Sequence, residues 1–98
     1  MPAKRELNPP PIAAAQPASV EVLRVWAVPD GAQQVTLITQ WDDPGAWGLM
    51  LVDIARHAAN AYARDGVDRA RALARIKELF DAEWAGPTTG IEDLTDGT

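Results

Sequence analysis

The chain has 98 residues, nine basic and fourteen acidic side chains, a net charge of −5 and no cysteine. Such a length allows one domain at most, and the charge argues against a general nucleic-acid binder. The lack of thiols excludes disulfides and any zinc site that needs thiolates, and it fits a reducing cytoplasm.

Residues 1–18 read as a flexible, proline-rich arm. Leu7-Asn8-Pro9-Pro10-Pro11-Ile12 and Pro17 favour an extended, polyproline-like backbone wherever this arm is ordered. No two of its prolines stand three apart, so it lacks the PxxP spacing of a signalling ligand; Leu7 and Ile12 are its docking points on a neighbouring surface. Lys4 and Arg5 could open a secretory signal, but prolines occupy the place where an unbroken apolar run is required.

A single domain is expected from residue 19 to residue 86. Val20–Val28 and Gln33–Trp41 read as two strands, and Pro29-Asp30-Gly31 between them supplies a fixed φ, a side-chain acceptor and a glycine free to take positive φ. If Val28 pairs with Ala32, one face gathers Leu23, Val25, Ala27, Val35 and Leu37 and suits the helices. The other shows Val20, Val22, Arg24, Trp26, Val28, Gln34, Thr36 and Ile38. A two-stranded sheet is barely stable alone and has two open edges, so two hairpins joined into a four-stranded sheet in a dimer would serve it well.

Trp41-Asp42-Asp43-Pro44-Gly45-Ala46-Trp47-Gly48 launches the central helix. Asp43 suits the N-cap and Pro44 the first helical position, where its missing N–H has no partner to lose. Trp47, Met50, Leu51, Ile54, Ala55, Ala58, Ala61 and Tyr62 follow at spacings of three and four to about Arg64 and require burial. Asp53, Arg56, Asn60 and Arg64 fall on the opposite side, with His57 at the margin. Leu49 and Val52 break this pattern, so the first half of the helix is apolar nearly all round. Gly48 adds to it, because glycine within a helix costs about 1 kcal/mol relative to alanine and is best explained by a close-passing backbone. A second chain is the simplest cover.

Asp65-Gly66 ends that helix and Asp68 caps a second one, from about Arg69 to Ala85, which Gly86-Pro87 terminates. Leu73, Ile76, Phe80 and Trp84 form its apolar stripe, and the two helices should pair antiparallel against one sheet face. Asp81 and Glu83 lie at its last turn, where the helix dipole favours cations, so they need compensation. Residues 87–98 form an acidic tail expected to be disordered, with Ile91 and Leu94 as docking points. Six of the nine basic residues fall between Arg56 and Lys77, and none follows; the basic middle and the acidic end could meet. The longest apolar run stops at Asp53, far short of the roughly 20 residues of a membrane span.

For chemistry the chain offers little. Asp42 and Asp43 could form a carboxylate dyad, although helix capping accounts for both. His57 stands four residues after Asp53 on the same helix face, but two ligands do not make a metal site. Asp53, Arg56, His57 and Asn60 are thus a candidate polar patch, with a surface role as the plainer reading. Val22, Trp26, Ile38, Gly48, Leu49 and Val52 are the candidate interface. Trp26, beside Arg24, could also serve as a ligand platform. No glycine-rich phosphate loop, serine nucleophile motif or metal-ligand cluster is present, and no cofactor is implied.

The runs Val20–Ala27, Trp41–Gly48 and Asp53-Ile-Ala-Arg-His57 resemble a small family of bacterial proteins classed as a domain of unknown function. The likeness covers roughly Ser19 to Trp84. It implies a compact soluble domain and transfers no activity, cofactor or site residue. The sequence therefore predicts an α+β fold, a β-hairpin followed by two antiparallel helices (ββαα), in a cytoplasmic homodimer. Its expected role is a non-catalytic interaction or regulatory module, with an unidentified protein as a further partner. The alternative is a small-molecule binding domain that uses the Trp26 face or the dimer groove.

Overall fold

The computed structural model describes residues 5–86 and 91–93. The expected hairpin and helix pair are both present. Strand β1 (Leu23–Trp26) and strand β2 (Gln33–Leu37) run antiparallel with Leu23 opposite Leu37 and Val25 opposite Val35. That is the register expected from pairing Val28 with Ala32. Both strands are shorter than expected, although Ile38 N–H still donates to Val22 O at 3.1 Å beyond the ladder. Gly31 N–H donates to Val28 O at 3.2 Å across the turn, and Asp30, not Gly31, holds the positive φ of 59°. Proline at the second position and positive φ at the third are the marks of a type II turn. Gly31 serves differently: a Cβ there would stand 3.1 Å from the Val28 side chain.

Part of the acidic tail is ordered. Strand β3 (Ile91–Asp93) joins β2 in parallel, Gln33 opposite Ile91, giving a three-stranded sheet in the order β1-β2-β3. The expected docking point Leu94 and the remaining tail lie outside the described residues. In the arm, Ile12–Ala15 forms one helical turn, α1, where extended backbone is expected. Ser19 Oγ closes it by donating to Gln16 O at 2.7 Å and Ile12 O at 3.2 Å. Glu6 then ties the arm to β1 through Arg24, at 2.6 Å.

Helix α2 (Gly45–Arg64) starts one or two residues later than Asp43 alone would place it. The Asp43 carboxylate accepts from Gly45 N–H at 2.8 Å, so it fixes the turn into the helix with Pro44 in the cap position. Trp41 packs edge-on against Trp47, ring centres 5.8 Å apart, and anchors this start to the preceding bend. At the other end Gly66 takes φ +94°, Gly66 N–H donates to Ala63 O at 3.1 Å and Val67 N–H to Tyr62 O at 3.0 Å. This pair of bonds is a Schellman motif, which satisfies helix-end carbonyls and turns the chain back. Helix α3 (Arg69–Ala85) follows with the expected bounds and the expected cap, Asp68 accepting from Arg71 N–H at 3.0 Å.

The two helices meet on small residues. Ala59 is wholly buried and Ala72 nearly so, as close helix approach requires. In the sheet Val35 is the buried side chain, but among the described residues neither long helix comes close to a strand, so the expected packing of the helical pair on that sheet face is not seen. Among the described residues no large side chain is fully buried. The chain exposes 8423 Å², where a compact monomer of 10.6 kDa would expose about 5,500 Å². Its radius of gyration of 15.5 Å exceeds the roughly 13 Å of a compact domain this long. No helix among the described residues is long and apolar enough to cross a membrane.

Candidate functional site

The apolar residues of the helical hairpin are divided between two ends. Near the turn, Ala59 and Ala72 close the gap between α2 and α3. At the opposite end, where α2 begins and α3 finishes, large side chains stand open. Leu49 is 74 % exposed and Trp84 78 %, with Val52, Leu79 and Phe80 also exposed. Turning about 100° per residue from Ala59 and Ala72 puts Leu49, Val52, Phe80 and Trp84 on one side of the hairpin. A hydrogen bond from Arg69 Nε to Asn60 Oδ1, 2.5 Å, joins the helices on that same side. Phe80 and Trp84 stack, ring centres 5.7 Å apart and planes at 18°.

This corrects the expectation for α3. Trp84 and Phe80 do not join a buried stripe; the contact with α2 is centred on Ala72, and Trp84 lies about 120° round the helix from it. The four tryptophans do not replace a larger core either, since Trp26, Trp41 and Trp84 are exposed and Trp47 is half-buried. Leu51, Ile54 and Tyr62 of the α2 stripe are likewise exposed in the single chain. Gly48 has no heavy atom within 4 Å of where a Cβ would stand, so no neighbouring backbone within the chain uses its bareness.

The six candidate interface residues fall in two places. Gly48, Leu49 and Val52 belong to the open helical end. Val22 and Ile38 are half-buried on the sheet, bonded to each other through the backbone, while Trp26 is exposed at the end of β1. Arg24 is not available to Trp26 as a free cation. It pairs with Glu21 at 3.1 Å and Glu6 at 2.6 Å, and these bonds, Glu21's foremost, raise its pKa further.

In the candidate polar patch, Asp53, Arg56, His57 and Asn60 are all exposed. Asn60 is committed to Arg69, and no hydrogen bond joins Asp53 to His57 among the described residues. Among those residues no three His, Asp or Glu side chains gather as metal ligands. The basic stretch is partly neutralised along α3: Arg75 pairs with Glu78, and Lys77 with Asp81 at 2.6 Å, which answers the misplaced acid at the helix end. On the other side of the hairpin an open groove of about 720 Å³ runs between Tyr62, Val67, Arg71, Arg75 and Leu79. Sequence reasoning missed it, because its walls come from both helices and the turn.

Comparison with known proteins adds the following. The model of the family described as domain of unknown function DUF5076 matches residues 6–88, extending the likeness read from residues 19–84 into the arm. No curated protein matches the chain. A solved protein from the photosynthetic bacterium Rhodopseudomonas palustrus CGA009, provisionally described as a pyruvate dehydrogenase, is similar at 41 % identity, with 92 % of this chain and 93 % of that one covered and a TM-score of 0.72.

Proposed function

We propose that this chain, which belongs to the DUF5076 family, acts as a homodimeric, non-catalytic interaction module in a bacterial cytoplasm. One observation carries the reading: the single chain buries only Val35, Ala59 and Ala72 among its described apolar side chains, and leaves sixteen large ones exposed. Exposed apolar surface on this scale points to an interaction, and obligate homodimer interfaces resemble a domain core cut in half. The excess of about 3,000 Å² over a compact monomer exceeds the roughly 800 Å² that each partner contributes to a stable interface. Part of that excess belongs to the arm, where Leu7 and Ile12 are exposed, and part to large side chains left open on the helices and sheet. The cytoplasmic assignment is supported by the thiol-free sequence and the bacterial origin by the Rhodopseudomonas relative. The reading draws on this surface and not on the dehydrogenase description of that relative.

The test is solution mass by light scattering across a wide concentration range. Twice the chain mass down to micromolar concentration is the expected result; the mass of one chain throughout would overturn the reading. The groove beside Tyr62 favours a second reading, small-molecule binding, since its apolar walls carry the guanidinium of Arg71. A thermal shift with aromatic or acyl carboxylates that Arg71→Ala abolishes would support it.

A further inference from the structure

Two apolar faces of this chain are matched in kind and do not meet within it. On the sheet, the register puts Leu23, Val25, Val35 and Leu37 on one face. Val35 is buried at its centre, but Leu23 and Leu37 are only half-buried and Val25 is 48 % exposed. On α2, turning about 100° per residue from Ala59 puts Leu51, Ile54 and Ala58 on the side opposite Asn60, away from Leu49 and Val52. Leu51 and Ile54 are exposed there, Ile54 at 43 %. A sheet face and a helix stripe of this kind ordinarily bury each other, yet among the described residues neither long helix comes close to a strand.

The separation is not slack in the connection. Residues 38–44 join β2 to α2, and both ends of the segment are fixed. Ile38 N–H donates to Val22 O at 3.1 Å, the Asp43 carboxylate accepts from Gly45 N–H at 2.8 Å, and Trp41 packs on Trp47. The direction in which α2 leaves the sheet is therefore set by local contacts, and with it the distance of the stripe from the chain's own sheet. We infer that the helical pair of each copy packs on the sheet of the other, with Leu51, Ile54 and Ala58 over Leu23, Val25 and Leu37. The inference rests on the homodimer reading and names the surfaces that make it. The occupant follows from the two faces being complementary. A foreign partner that fits the sheet leaves the helix stripe open, and one that fits the stripe leaves the sheet open, whereas a second copy brings the missing member of each pair. Exchange of identical elements about a two-fold axis is also a low-cost route to a dimer, because the helix-on-sheet contact that strand alternation already specifies is formed twice.

The chain has no cysteine, so introduced thiols report the contact directly. Isotope-labelled chain carrying Val25→Cys and unlabelled chain carrying Ile54→Cys are unfolded together, refolded and treated with a short bismaleimide, and the products are weighed by mass spectrometry. Both sites are exposed in the single chain, so the fold should tolerate them; should Ile54→Cys lose helical circular dichroism, Leu51→Cys on the same stripe takes its place. A linked product of one labelled and one unlabelled chain is expected, as is its loss when Arg56→Cys, on the opposite side of α2, replaces Ile54→Cys. With both thiols in one chain, Val25→Cys/Ile54→Cys, linkage at twice the chain mass is expected. Linkage at the mass of one chain would mean that the helices reach their own sheet and would overturn the inference. A wild-type dimer whose variants yield no mixed product would overturn this contact and leave the homodimer standing. A wild-type monomer at every concentration would overturn both.

Discussion

Gly66 and Asp30 hold the two positive φ values of the described backbone, +94° and 59°, and they are not equivalent. At Gly66 the left-handed conformation carries the Schellman motif that reverses the chain between α2 and α3, and a Cβ meets no atom there. Replacement by alanine therefore tests conformation alone. Gly66→Ala is expected to lower unfolding free energy by about 1 to 2 kcal/mol, the cost of the left-handed region for an L-residue, measured by urea denaturation. At Asp30 the chain already bears part of that cost, so Asp30→Gly should raise stability by about 0.5 to 1 kcal/mol. The turn itself was readable from Pro29-Asp30-Gly31, but which residue takes positive φ was not. Gly31 attracts the assignment by its type, whereas Gly31 N–H bonding back to Val28 O places the third turn position on Asp30.

At the scale of elements, α3 is the best case for sequence reasoning, because its ends are set by local chemistry. Asp68 caps the first turn through Arg71 N–H, and Gly86 follows the last residue. Asp68→Ala should cost about 1 kcal/mol, read as a loss of helicity and a lower urea midpoint. The strand register was equally legible, since alternation along Leu23–Val25 and Val35–Leu37 leaves one pairing with a shared apolar face. What α3 faces was less so. Period 3.6 shows that Leu73, Ile76, Phe80 and Trp84 share a broad side, but the helix contact chose the small Ala72, and the large rings were left beyond its edge. Leu49 and Val52 stand out in the sequence because they violate the helical pattern, and both are exposed in the single chain. Strand β3 was not, since three residues pairing in parallel with a strand far back in the chain leave no local signal.

The whole molecule is more open than its sequence implies: helix packs on helix and strand on strand, but the long helices do not close over the sheet, and their largest side chains remain in contact with solvent. Hydrophobic burial within one chain is thus small against the conformational entropy lost on ordering about 80 residues. A dimer that supplies the missing burial couples folding to association, and that coupling has a thermal signature. For two chains that unfold and separate together, each tenfold rise in chain concentration adds RT ln 10, about 1.4 kcal/mol, to the stability of the dimer. With an unfolding entropy of about 2.1 cal/mol/K per residue over two such chains, this should move the midpoint upward by about 4 °C. Calorimetry at concentrations spanning two decades would therefore show a rise of about 8 °C by the same arithmetic. A midpoint independent of concentration would mean that each chain folds alone, and that its exposed leucines and tryptophans persist in the free protein.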